Sequence, residues 1–363
     1  MLSPDMHSTL LHYTSQSPSL LDGQHLSNET SSYRVRGRRG AKFIMDNFNQ
    51  FDHVFAFNPS YTYDHKTIEV ILSNRNSLEN GLFFDRLIRT FQVGIPNKLY
   101  PPKSNEDLRA LHQKIVSSTA LDHHKQSLLF YILLDCKIAQ DVADDFADFF
   151  HLPEKFAICM RGLWYMDRLQ FQIAVEYLTQ PSLGTTFPEE ILATLVKHAP
   201  PNDFTLPLAY YHTVSPALTN AKSLDTFFSV LCRVSVTEAF YFSHGQASSV
   251  HKRLFEQLIS FALSHARGEE RSNNCAELVN LPLTQQEESW LEGYLLTGDG
   301  KSLNGSRDTV MMRRIGTGKF QEVMDDRRGP SGRKVQGLNW DSLQEGLSDG
   351  LGQRQMTMRS MGS

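Results

Sequence analysis

The sequence predicts an all-α chain, an irregular α-solenoid of antiparallel helix pairs with disordered termini. Three observations carry that reading. Apolar residues recur at the i, i+3, i+4, i+7 spacing that lines one face of a helix. Residues that start and stop helices stand between those stripes. No stretch alternates apolar and polar residues long enough to build a half-buried strand, and Val54–Phe57 and Ile68–Leu72 are the only strand-like fragments.

Taken in order, Phe84, Leu87, Ile88 and Phe91 form the first clear stripe, ended by Gly94-Ile95-Pro96. Ser104 to Asp107 reads as a capping box, with Ser104 as N-cap, Asp107 reaching back, and the stripe Leu108, Leu111, Ile115 following. Leu128, Leu129, Ile132 and Leu133 line the next helix, and Val142, Phe146, Phe149 and Phe150 a short aromatic one. Pro153 suits a first helical turn ahead of Phe156, Cys159, Met160, Leu163 and Trp164. Phe171, Ala174, Val175 and Leu178 belong to a partner helix stopped by Pro181, and Pro188 opens another that ends at Pro200-Pro201. Ser223 is read as the cap of a helix carrying Leu224, Phe227, Phe228 and Leu231. Val236, Ala239 and Phe240 begin its neighbour, and Leu254, Leu258, Ile259 and Ala262 a longer helix. Thr284 to Glu287 is a second capping box, before Trp290, Leu291, Tyr294 and Leu295. Short connections imply antiparallel neighbours, about ten to thirteen helices in all, with no strict repeat period.

The 363 residues divide into three parts. Residues 1–42 are polar and basic and are expected to be disordered; residues 43–325 form the helical domain; residues 326–363 form a disordered glycine-rich tail. Net charge is 36 − 40 = −4, which demands neither nucleic acid nor an anionic membrane over the whole surface. The start of the chain lacks a signal-peptide pattern, and no apolar run approaches the ~20 residues of a spanning helix. Cys136, Cys159, Cys232 and Cys275 fit no metal spacing, and the first three sit in apolar stretches as buried reduced thiols.

Several patterns invite chemistry and fail on geometry. His123-His124 are consecutive, about 100° apart on a helix, so their rings diverge, and they read as exposed histidines at a helix start. Asp141, Asp144, Asp145 and Asp148 share helix faces but read as a solvated surface opposite the aromatic one. Gly300-Lys301-Ser302 lacks the glycine and the strand of a phosphate loop. No catalytic residue, cofactor, metal or small-molecule substrate is expected. The run Arg34, Arg36, Arg38, Arg39, with Gly37 and Gly40, suits a nuclear-import signal, a minor-groove DNA contact or a solubilising linker.

Three stretches together resemble one family. The first is Leu99-Tyr100-Pro101-Pro102 with Leu108-Arg109-Ala110-Leu111, Lys125 to Tyr131, and Leu133-Leu134-Asp135. The second runs from Gly162 through Trp164 and Asp167 to Phe171, Ala174 and Pro181-Ser182-Leu183. The third is Leu281 to Thr284, Glu287-Glu288, Leu291-Glu292, Arg313-Arg314 and Gly318-Lys319-Phe320. In this order they are similar to the helical domain of ELYS-like proteins. Read as residues alone, the middle stretch is a helical hairpin in which Trp164 and Phe171 pack across the turn, Ala174 allows close approach, and Asp167 caps the second helix. Gly162, Trp164, Asp167, Phe171, Ala174 and Pro181 are therefore candidates for packing or for partner contact. The resemblance implies a structural nucleoporin at the nuclear envelope, docked on the outer-ring, Y-shaped scaffold of the pore. It also suggests the short fungal form, without the β-propeller or AT-hook tail of larger members. A helical adaptor of a coat, ubiquitin or chromatin complex is the alternative.

Overall fold

The computed structural model describes residues 47–55, 63–135, 142–181, 183–184, 186–265 and 267–319, with 322–323, 345–346 and 349 beyond them. The basic run Arg34 to Arg39, Cys136, Asp141 and nearly all of the tail lie outside the described residues. Seventeen α-helices and one 3-10 turn occur among the described residues, and no strand. The all-α expectation holds. The helix number is higher than expected because two four-residue helices hold too few apolar positions to show a period, and His65–Ser77, Thr205–Val214 and Gly268–Asn280 carry no clear apolar stripe. The strand-like fragment at Ile68–Leu72 lies inside a helix, and Val54 ends another.

The helices are α1 Phe51–Val54, α2 His65–Ser77, α3 Phe83–Thr90, α4 Pro96–Leu99, α5 Asn105–Ser117, α6 Asp122–Leu134, α7 Val142–Phe149, α8 Glu154–Asp167 and α9 Phe171–Leu178. They continue as α10 Pro188–His198, α11 Thr205–Val214, α12 Ala221–Val234, α13 Val236–His244, α14 Ser248–Ser264, α15 Gly268–Asn280, α16 Gln285–Leu296 and α17 Ser306–Gly316. A 3-10 turn at Asp299–Ser302 holds the Gly300-Lys301-Ser302 sequence.

From α10 onward the packing is a solenoid ladder. α12 touches α13 and α14, α13 touches α14 and α15, α14 touches α15 and α16, and α17 closes on α15 and α16. The irregularity lies in the first half. There α8 packs on α2, α3, α6 and α9, and α6 packs on α3, α5, α7 and α8. The sequence suggests one apolar stripe for α6, yet every residue from Ser127 to Leu133 is buried. A helix covered on all sides needs an apolar circumference, and its four neighbours cover it.

Local chemistry explains most of the helix starts. Asp64, Ser104, Asn220, Ser235 and Thr284 each accept a backbone N–H of the first turn that follows. Asn220 caps α12, so Ser223 lies inside that helix and not at its start. In the box at Ser104, Asp107 reaches back to the N–H of Lys103 at 3.1 Å. His123 and His124 are half-buried, stacked on Phe156 at 4.7 Å and on Phe91 at 4.4 Å. They join the aromatic packing that holds α6 against α3 and α8. Cys159 and Cys232 are buried free thiols, and burial raises both, Cys232 to about 12.

Gly162 sets the spacing of α8 and α9. A Cβ there would stand 2.5 Å from Leu178 Cγ, whereas one at Gly293 on α16 would meet nothing within 4 Å. Gly162→Ala is expected to lose up to about 2 kcal/mol, overpacking of ~1–3 kcal/mol set against a helix-propensity gain of ~1 kcal/mol. Gly293→Ala is expected to gain about 0.5–1 kcal/mol. Thermal melts of both variants check the opposite signs.

Candidate functional site

Three buried carboxylates tie the first half together, and each stands at a helix end. Asp167 is the last residue of α8. Its Oδ1 accepts the N–H of Phe83 at 2.6 Å; its Oδ2 accepts the N–H of Phe84 at 2.9 Å and the Tyr131 hydroxyl at 2.7 Å. It therefore caps α3 from 84 residues downstream. The sequence reading had it cap α9, whose N-cap, Gln170, makes no side-chain cap bond. The physical reason is local. Leu82, at the N-cap of α3, offers no side-chain acceptor, and the first N–H groups of that helix are buried.

Asp135 ends α6 and collects four donors. Tyr63 and Tyr100 hydroxyls reach Oδ2 at 2.7 and 2.6 Å. Trp164 Nε1 and Arg168 Nη2 reach Oδ1 at 2.9 and 2.5 Å. Asp85, in the first turn of α3, takes a two-pronged contact from Arg75 at 2.8 Å for each prong and the N–H of Leu82 at 3.1 Å. Arg75 also donates to the carbonyl of Tyr100 at 2.8 Å. Phe84 stacks on Tyr131 at 4.3 Å, which closes the apolar wall around the three groups.

The electrostatics follow from burial. Desolvation pushes Tyr100 and Tyr131 well above the usual phenol range, reinforced by the neighbouring carboxylates. Desolvation also raises Asp167 from 3.8 to about 7, against the pull of the Tyr131 hydroxyl and the two α3 amides. Removing a carboxylate from water costs several kcal/mol, and three hydrogen bonds to a charged group return about 1.5–3 kcal/mol each. Desolvation outweighs the three bonds, so the carboxyl holds its proton up to about pH 7.

The second signature stretch now has an explanation residue by residue. Gly162 admits Leu178, Trp164 serves Asp135, and Ala174 is buried. Phe171 lies against His198 of α10 at 5.2 Å, so its ring contact is with the next helix rather than across the turn to Trp164. Pro181 is exposed, three residues past the end of α9. The third stretch forms a separate clamp. Arg313 of α17 donates to the carbonyls of Val279 and Leu281 at 2.5 and 2.6 Å, and to Glu288 at 2.8 Å. Arg314 makes a two-pronged pair with Glu292 at 3.0 and 2.9 Å. Tyr63, Arg75, Asp85 and Arg168 were not singled out by the sequence. The missing local cap at Leu82 signals an acceptor from elsewhere for the start of α3, but nothing local announces these four.

On the surface, α10, α12 and the turn between α2 and α3 border an open groove of about 960 Å³. Its cations are Arg86, Lys197, Lys222 and Arg233, and its carboxylates Glu79, Glu189 and Glu190. Lys222 holds Glu79 at 3.0 Å, and Glu189 accepts the N–H of Asn220 at 2.9 Å. Positive charge is left in excess, beside Val196, Phe204 and Val230. Asp144 pairs with Arg161 elsewhere on the surface.

Two outcomes follow. The folded chain keeps the Asp167 proton to higher pH than the unfolded chain, so this group's contribution is greatest below about pH 4 and falls as pH rises to about 7, by on the order of 4 kcal/mol. Urea unfolding between pH 4 and 8 should show a flatter profile for Asp167→Asn, although that variant is less stable throughout. Arg313→Ala is expected to cost about 3–5 kcal/mol, because it leaves Glu288 and two carbonyls without their donor. Arg314→Ala, at a more exposed pair, is expected to cost about 1 kcal/mol or less. Parallel urea melts of the two variants test the ranking.

Comparison with known proteins places these features. The model of the ELYS family, described as nuclear pore complex assembly, matches residues 81–298. An uncharacterized protein of Schizosaccharomyces pombe, ely5, is 27% identical over 242 residues, covering 66% of this chain and 75% of its own length. The family match spans Asp85, Asp135 and Asp167 together with every helix from α3 to α16. The buried carboxylate network and the ladder that follows it are thus the helical domain of a nuclear pore complex assembly protein, and the chain belongs to the ELYS family.

Proposed function

We propose that this chain is a structural component of the nuclear pore complex that docks through its helical domain on the outer-ring, Y-shaped scaffold and performs no catalysis. Family membership over residues 81–298 carries the pore assignment. Two features support docking over chemistry. The buried carboxylates of the first half are enclosed by fixed donors, Asp135 by four of them. The groove between α10 and α12, by contrast, is open and partly apolar, with four cations against three carboxylates. It suits an acidic segment of a scaffold subunit with an apolar anchor at its centre. Stable docking calls for about 1,600 Å² of total buried surface with a few anchors dominating, and the groove is one part of such a face. Nuclear-envelope localisation follows from the same reading. The basic run Arg34, Arg36, Arg38 and Arg39 is assigned to import or to DNA contact.

Affinity purification of the tagged chain in mild salt is expected to recover outer-ring subunits, with a punctate nuclear rim in cells. Recovery of none, with a vesicular or diffuse nuclear signal, would replace this reading with the adaptor alternative. Lys197 and Arg233 are exposed. The double variant Lys197→Glu, Arg233→Glu should lose most of the recovered scaffold without a change in melting temperature.

A further inference from the structure

The sequence suggests no metal ligand, but the fold brings three together. His244 ends α13, His251 lies in the first turn of α14, and Glu287 lies in the first turn of α16. One ligand atom from each of His244, His251 and Glu287 lies within 4.8 Å of the other two. The residues are 7 and 36 positions apart in sequence, on separate helices, so no motif announces them.

Glu287 is almost fully buried, with 1% exposure, and its two oxygens have different surroundings. Oε2 accepts the N–H and the hydroxyl of Thr284 at 2.7 and 2.8 Å, which fixes the carboxylate in place. Oε1 stands 2.7 Å from His244 Nε2 and 3.1 Å from His251 Nε2, yet it has no hydrogen-bond partner, and neither has His251 Nε2. Three ligand-type atoms thus converge on one point, with the carboxylate buried and fixed through its other oxygen, which is the arrangement a shared ion needs.

We infer that His244, His251 and Glu287 bind a zinc ion that staples α13, α14 and α16. Two imidazoles and a carboxylate suit Zn²⁺ among the first-row ions. With ligands at roughly 2.0–2.2 Å, neighbouring ligand atoms stand about 3.3 Å apart, so on binding the two imidazole–carboxylate separations of 2.7 and 3.1 Å widen towards that value. Phe240 packs on the His244 ring at 4.4 Å and Trp290 on the His251 ring at 5.3 Å, and both keep the rings from swinging away. Thr284 does the same for the carboxylate, as an outer-shell partner orients a ligand. His244 is 37% exposed, so the fourth position opens to water, or to a side chain of a bound protein. The inference does not depend on the docking reading.

The test uses the full chain. Protein prepared without chelator is analysed for metal, stripped with EDTA, and titrated with ZnCl₂ by calorimetry, alongside His244→Ala and Glu287→Gln. The expected result is about one Zn²⁺ per wild-type chain, and a melting temperature that falls with EDTA and recovers with zinc. His244→Ala should bind zinc more weakly by more than the roughly 10–100-fold that loss of an outer-shell partner costs, while melting like the EDTA-treated wild type. That match shows the variant is folded. Glu287→Gln supplies a second loss of ligand with the side-chain shape kept. No stoichiometric uptake by the wild type, or equal uptake by all three proteins, overturns the site.

Discussion

A carboxylate taken out of water must find donors, and the first half of this domain is arranged around three that do. Asp85, Asp135 and Asp167 cannot be left in an apolar core alone, because an uncompensated buried charge costs several kcal/mol. The donors they collect come from segments far apart in sequence: Tyr63, Arg75, Phe83, Tyr100, Tyr131, Trp164 and Arg168. Once these bonds are made, α2, α3, α6 and α8 have one mutual arrangement. That is why α6 can be apolar on every side, and why the half with the most non-local contacts is also the half with the most specific signature.

The second half solves a different problem. Each helix of the ladder leans on the next one or two, so the stack needs no distant closure, but it needs an end. Arg313 provides one by occupying the carbonyls at the end of α15 while pairing with α16. A cation at a helix C-terminus is also favoured by the helix dipole. The two halves thus use the same physics at opposite helix ends, a carboxylate on free N–H groups in one and a guanidinium on free carbonyls in the other.

Much of this was legible in the sequence, and the limits were physical. The stripes, the Thr284–Glu287 box and the all-α class could be read because their information is local, within four residues. So could the pairing of the three stretches with the ELYS family. Asp167 could be recognised as a residue at a turn but not as the cap of α3, because nothing within 80 residues of it names its partner. α15 went unread since it buries only Leu278 and its first turns, Gly268 to Asn274, carry no apolar side chain. Asn220, three residues ahead of Ser223, is an equally good capping residue, and only packing shows that it starts the helix. His244, His251 and Glu287 each look ordinary in their own helix, and the fold alone brings them together.

The reach of the Asp167 contact has a practical consequence for dissecting the protein. Any fragment whose boundary falls between residues 84 and 167 separates the Phe83 and Phe84 N–H groups of α3 from the Asp167 carboxylate that accepts them. Such a piece exposes unpaired amides and the apolar face of α6, and it will aggregate or bind indiscriminately. Deletion mapping across that interval therefore reports on the integrity of the domain, whatever partner is being sought, and surface point variants are the sounder way to trace a contact.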